Sequence, residues 1–256
     1  LKQADIGVAM GITGTDVAKG AADMILTDDN FASIEAAVEE GRNVFDNLTK
    51  FITWTMPTNG GEGLIILVSV LLGTALPILP VQLLWINMST ALLLGLMLVF
   101  EPKEQGIMAR PPREPAQPIL TRQLIRRIVT VSLFMVAGGF LLFLWERRQG
   151  AALVEARTVV VNVIVMVETF YLLNCRSLTR SFFLLGLFTN LWVVGGVAAM
   201  LAAQALFTYA PFMNRLFHSA PISGASWLRI VGVGFIVFVA VELKKWLDAR
   251  RLNGPS

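Results

Sequence analysis

Residues 51–76 read FITWTMPTNGGEGLIILVSVLLGTAL, and residues 81–100 read VQLLWINMSTALLLGLMLVF. Each stretch is long enough to cross a bilayer, which takes about 20 apolar residues of helix at 1.5 Å rise each. Neither is a plain anchor. The first carries Thr58, Asn59 and Glu62; the second carries Asn87, Ser89 and Thr90. A carboxylate near mid-span costs roughly 2.5 kcal/mol or more, so Glu62 needs a compensating partner. On a helix Asn59 and Glu62 (i, i+3) and Thr58 and Glu62 (i, i+4) share a face, and Asn87 and Thr90 are again i, i+3. Two such helices facing each other aim a cluster of oxygen atoms at one point inside the membrane, which is how a hard cation is held.

The remainder is equally apolar. Of 256 residues 55 % are hydrophobic and 15 % charged, outside the range of an ordinary soluble domain. Six stretches of membrane length stand out: 51–76, 81–100, 128–145, 158–174, 184–208 and 227–243. Positive charge gathers after the second (Lys103, Arg110, Arg113, Arg122, Arg126, Arg127), the fourth (Arg176, Arg180) and the sixth (Lys244, Lys245, Arg250, Arg251). By the positive-inside rule these segments are cytoplasmic, and an even number of spans places both termini there. Arg147, Arg148 and Arg157 dissent, but are fewer. The bilayer explains this charge, so no nucleic-acid partner is expected, and no obligate subunit is evident. A single Cys175 and a single His218 exclude a disulfide framework and a Cys/His metal cluster, which makes copper and zinc poor cargo. Leu1 is not an initiator and no signal peptide precedes it, so the chain reads as a piece of something longer.

The first fifty residues differ in kind. Asp5 to Gly11 reads as a short buried strand entering a glycine turn, and Thr15 or Asp16 can cap a short helix. Ala22 to Thr27 is a second strand, closed by Asp28-Asp29-Asn30. From Phe31 apolar residues recur at helical spacing through Lys50 into the first span. Strand–helix–strand–helix of this length is the end of an α/β domain, with a stiff rod leading to the helix that carries Glu62.

Leu1 to Gly11, Gly14-Thr15-Asp16-Val17-Ala18-Lys19, Ala21 to Phe31 and Glu40-Gly41-Arg42 together resemble the end of the phosphorylation domain of P-type cation-transporting ATPases. Trp85-Ile86-Asn87 through Glu101-Pro102 is similar to the calcium-pump branch of that family, of the bacterial type. The resemblance covers essentially the whole chain. It implies a mainly α fold: a six-helix transmembrane bundle (51–249, with a cytoplasmic tail 250–256) preceded by the end of a haloacid-dehalogenase-like α/β domain (1–30) and a stalk helix (31–50). It also implies that the residues binding ATP and Mg2+, and the aspartate that is phosphorylated, lie in the upstream part of the same polypeptide. No catalytic or cofactor-binding residue is therefore expected in this chain, and the enzyme is an ion translocase only at full length.

The resemblance implies a set of ion ligands too. Asn59-Gly60-Gly61-Glu62 resembles the Asn-X-Gly-Glu of calcium pumps, in which both polar residues bind the ion. Trp85 to Ala91 resembles Trp-X-Asn-X-X-Thr-Asp, in which Asn, Thr and Asp bind on a locally unwound helix; here that implicates Asn87 and Thr90, while Ala91 replaces the aspartate. Glu168 resembles the further glutamate of two-site pumps. Plain packing offers alternatives. Glu62 can be a protonated residue hydrogen-bonded between helices, and Glu168 a structural glutamate bonded to Asn162 or Tyr171. Gly60, Gly61 and Gly63 admit a close neighbour, and Pro57 frees a carbonyl one turn below. The connector 101–113 either contacts the stalk, as in the family, or faces acidic lipid.

The expectation is ATP-driven transport of a hard cation, calcium first, across a membrane that the resemblance makes the bacterial plasma membrane. The loss of the aspartate at Ala91 leaves room for a monovalent cargo. A secondary transporter or channel, and a membrane-anchored phosphatase-like protein, are the competing classes.

Overall fold

A computed structural model describes residues 1–114 and 121–252. It divides into two compact units, residues 1–46 with 103–113, and residues 47–102 with 114 onward.

In the first unit β1 (Val8–Met10) and β2 (Met24–Leu26) pair in parallel, Val8 opposite Met24 and Met10 opposite Leu26. Ala9 and Leu26 are the buried apolar residues of this pair. Between the strands α1 (Asp16–Ala21) starts where the Thr15 hydroxyl accepts from the Ala18 amide at 3.2 Å. After β2, Asp28 accepts from the Ser33 hydroxyl, and Asn30 from the Ala32 amide, at the start of α2 (Ala32–Leu71). The connector 103–113 lies along the opening turns of α2. Arg42 donates to the carbonyls of Ile107 and Arg110, both at 2.8 Å. Lys103 pairs with Glu39 and Glu40, Arg110 with Asp46, and the Arg113 guanidinium sits 4.6 Å over the Phe45 ring. The connector's basic residues are therefore engaged by α2 carboxylates and an aromatic face.

The second unit is helical. Its elements are the later part of α2, α3 (Pro80–Leu93), α4 (Arg122–Arg148), α5 (Leu153–Cys175), the short α6 (Phe182–Leu185), α7 (Leu191–Tyr209), α8 (Pro211–Phe217) and α9 (Gly224–Leu252). Helix α5 is the axis. Its apolar window is 89 % buried, against 33 % for each of α3, α4, α7 and α9. A helix apolar on every side is stable only when surrounded, and α3, α4, α7 and α9 pack against it. The other four keep an apolar face outward, as lipid requires.

Five helices among the described residues are long and apolar enough to cross a membrane, rather than six. The departure is the expected span 51–76. It falls in α2, which ends at Leu71, and the polar run from Pro57 to Glu62 dilutes its apolar content. The span expected at 184–208 begins later, at Leu191. Gly186 (φ 78°) turns the chain there, and Asn190 caps α7 by accepting from the amides of Trp192 and Val193. Residues 253–256 of the expected tail lie outside the described residues.

Candidate metal centre

The polar residues of α2, α3 and α5 meet in the buried middle of the second unit. Asn87 Nδ2 donates to Glu62 Oε2 at 2.9 Å and to the Leu83 carbonyl at 3.1 Å, one turn back on its own helix. That second bond steers the amide toward α2. Glu168, on α5, is buried as well, and its carboxylate lies within electrostatic range of Glu62 and of the Thr58 and Thr90 side chains. The Thr58 and Thr90 hydroxyl protons go to the Thr55 and Ile86 carbonyls, at 2.8 and 2.9 Å. Their oxygen lone pairs are thereby left to the site.

Both glutamates are buried, Glu62 3 % and Glu168 2 % exposed, and each keeps one carboxylate oxygen without a hydrogen-bond partner. No basic side chain among the described residues pairs with either. Two adjacent carboxylates out of water without a counter-charge are strongly unfavourable; a bound cation, or protons, must balance them. No group of three or more His, Cys, Asp or Glu placed to hold a metal ion exists among the described residues. The donors on offer are two carboxylates, an amide oxygen and two hydroxyls, a set suited to a hard cation.

Asn59 does not join this group. It is exposed, whereas Thr58 and Glu62 are buried. Three residues along a helix return to within about 60° of the starting direction, not to it, and here that offset moves Asn59 out of the interhelical space. Ala91 is exposed beside Thr90. Helix α3 is regular through Asn87 and Thr90; it gives way to a 3-10 turn only at Gly95–Phe100. The alternative partners for Glu168 are engaged elsewhere. Asn162 donates to the Thr158 carbonyl and Thr208 hydroxyl, and Tyr171 donates to the Thr53 carbonyl at 3.1 Å.

That last bond explains Pro57. Proline has no N–H for the carbonyl four residues back, which is Thr53, and Tyr171 supplies the donor from α5. Ser132 of α4 donates to the Pro57 carbonyl at 2.7 Å, and Trp54 Nε1 donates to the Glu168 carbonyl at 3.0 Å. The freed carbonyl was legible in the sequence. Its donor, 118 residues further on, was not.

Residues 75–247 match the family described as Cation transporting ATPase, C-terminus. The chain is 59 % identical over 255 residues to a "Probable cation-transporting ATPase F" of Mycobacterium tuberculosis, covering 100 % of this chain and 28 % of that protein. It is 46 % identical over 235 residues to "Cation-transporting ATPase pma1" of Synechocystis (89 % of this chain, 26 % of that protein). With a "Calcium-transporting ATPase" of Bacillus subtilis it shares 36 % over 237 residues, 92 % of this chain and 26 % of that protein. The chain thus spans about a quarter of the length of these curated relatives.

Proposed function

The chain belongs to the cation-transporting ATPases, as a C-terminal part of a P-type pump, and from that premise we propose that it supplies the ion-binding helices of an ATP-driven pump for a hard metal cation. Calcium is the first candidate. The observation that carries the reading is the pair Glu62 and Glu168: two buried carboxylates on different helices, each with a free oxygen and neither with a cationic partner. Glu62, Asn87, Thr90 and Glu168 are the proposed ligands, with Thr58 added. Asn59, the fifth residue that the resemblance implies, is exposed on α2 and stands outside this inner group. Counting up to two oxygens per carboxylate, the inner group offers about five to seven, against the 6–8 that calcium takes.

In the full-length protein ATP and Mg2+ bind upstream, and phosphorylation there drives the cycle. Helix α2 is continuous from Ala32 to Leu71 and carries Glu62. Hydrolysis couples to ion affinity through it if rotation or tilt of that one rod moves Glu62 against Glu168, giving the two end states different affinities. The partners are the lipid bilayer and the upstream part of the polypeptide. The proposed location is the bacterial plasma membrane, with both termini cytoplasmic.

A monovalent cargo is the second reading, favoured by Ala91, which offers no oxygen where the calcium-pump pattern has aspartate. The test is a panel of mono- and divalent cations for stimulated ATPase and phosphoenzyme formation in the full-length protein, repeated with Glu62→Gln. Stimulation by calcium that is lost in the variant supports the first reading. Stimulation by sodium or potassium alone supports the second, and stimulation indifferent to Glu62 refutes both.

A further inference from the structure

Two hydrogen bonds run in opposite directions between α2 and α5. The Tyr171 hydroxyl of α5 donates to the Thr53 carbonyl of α2 at 3.1 Å, and Trp54 of α2 donates through Nε1 to the Glu168 carbonyl of α5 at 3.0 Å. Donors and acceptors are sequence neighbours, 53 beside 54 and 168 one turn before 171. Tyr171 and Trp54 are both fully enclosed, at 0 % and 2 % exposure. One bond ends on the backbone of Glu168 itself. The other ends on the carbonyl that Pro57 leaves without its helical donor, in the turn leading to Glu62. Ser132 holds the Pro57 carbonyl from α4. The segment of α2 around the proline is thus tied to both neighbouring helices through its backbone.

We propose that Tyr171 is a positioning residue of the cation site. Its hydroxyl fixes the rotation of α2 at Pro57 against α5, and so sets the separation of the Glu62 and Glu168 carboxylates. This rests on the cation-site reading above. A tyrosine serving only to fill the core would use its ring, which also packs 5.5 Å beneath the Arg127 guanidinium, and phenylalanine would do as well. The two roles therefore separate at the hydroxyl.

The test is made in the full-length protein, with cation-stimulated ATPase as readout and thermal unfolding in detergent as control. Tyr171→Phe leaves the Thr53 carbonyl buried without a donor. The cation concentration giving half-maximal stimulation should rise about three- to tenfold with maximal turnover little changed, while the unfolding temperature falls slightly, by the cost of one buried acceptor left unpaired. Pro57→Ala restores an N–H to that carbonyl, so in this background Tyr171→Phe should have no further effect. Unaltered affinity in Tyr171→Phe overturns the proposal. So does an equal loss in the Pro57→Ala background, which would assign the tyrosine to packing. If Glu62→Gln abolishes stimulation while Tyr171→Phe changes nothing, only the positioning role falls. If no cation stimulates the wild type, the site reading falls with it.

Discussion

Asn87 on α3 donates to Glu62 on α2 across 2.9 Å, and the other Glu62 oxygen has no partner. One oxygen is held in place and the other is offered. Asn87→Leu keeps the volume and removes the amide, so Glu62 should lose its orientation, and the full-length protein about tenfold in cation affinity, in line with the roughly 1–3 kcal/mol lost when a buried group is left unpaired. Cation titration of phosphoenzyme formation measures it. Unchanged affinity would detach Asn87 from the site.

Position 91 is the departure from the family pattern. Ala91 follows Thr90 on α3 and is exposed, so a carboxylate fits there without displacing the core. Ala91→Asp should raise the affinity for calcium if calcium is the cargo at a site short of one carboxylate. The ion panel repeated on this variant decides it; no change for any divalent ion turns the assignment toward a monovalent cargo.

The apolar runs made the bundle legible, because a membrane helix must be about 20 residues long and apolar. That Glu62, Asn87 and Thr90 face one another was legible for the complementary reason, since oxygen-bearing side chains in such runs need one another; Glu168 entered only through the family resemblance. Three things were not. The helical step places Asn59 only roughly, and the remaining angle decides whether it faces α5 or the outside. The donors to the carbonyls around Pro57 come from distant segments, which no local pattern announces. Arg176, counted by position as a marker of the cytoplasmic side, is in fact buried and paired with Glu101.

Glycines divide by what surrounds them. A Cβ on Gly196 of α7 would come within 2.2 Å of the Leu93 carbonyl and 2.5 Å of the Met97 side chain. The obstacle is backbone at the end of α3, so α7 must move. On Gly63 of α2 a Cβ meets nothing within 4 Å. Gly196→Ala should lower the unfolding temperature in detergent and weaken cation binding through α3. Gly63→Ala should be neutral or stabilising by up to about 1 kcal/mol through helix propensity. Equal effects in the two variants would contradict the packing described.

In the first unit Asp29 (φ 50°) accepts at 2.7 Å each from the Ile12 amide, the Thr13 amide and the Thr13 hydroxyl. The Ile12 amide bond, foremost among these, holds its carboxyl below the usual carboxylate range. A depressed value means the carboxylate's contribution is present above the ordinary range and fades as pH falls through the lowered one. The Ile12 and Thr13 amide signals should therefore shift together on acidification below about pH 4, near the ordinary carboxylate value. Asp29→Asn, which tolerates the same backbone angle, should abolish that shared transition.

Glu101 and Arg176 form the best enclosed ion pair among the described residues, with side chains 4 % and 0 % exposed. Arg176 Nε reaches both Glu101 oxygens, at 3.1 and 3.2 Å, and its other nitrogens donate to the Gly186 carbonyl and Thr189 hydroxyl. Asn190 donates to Glu101 Oε2 at 2.7 Å, and Asn47 of α2 to the Glu101 carbonyl at 2.9 Å. The end of the 3-10 turn that follows α3, the end of α5, the start of α7 and one turn of α2 thus meet at this charge pair. A pair so buried need not stabilise the fold relative to an apolar substitute, because desolvation offsets its attraction. Breaking it is another matter: Arg176→Met should cost about 3–5 kcal/mol by leaving Glu101 buried and uncompensated. Arg176→Met combined with Glu101→Leu should recover most of that loss. A double-mutant cycle on thermal unfolding of the full-length protein reads the coupling. If the double variant is as unstable as the sum of the singles, the pair is not the joint between these helices, and the surrounding backbone bonds hold them instead.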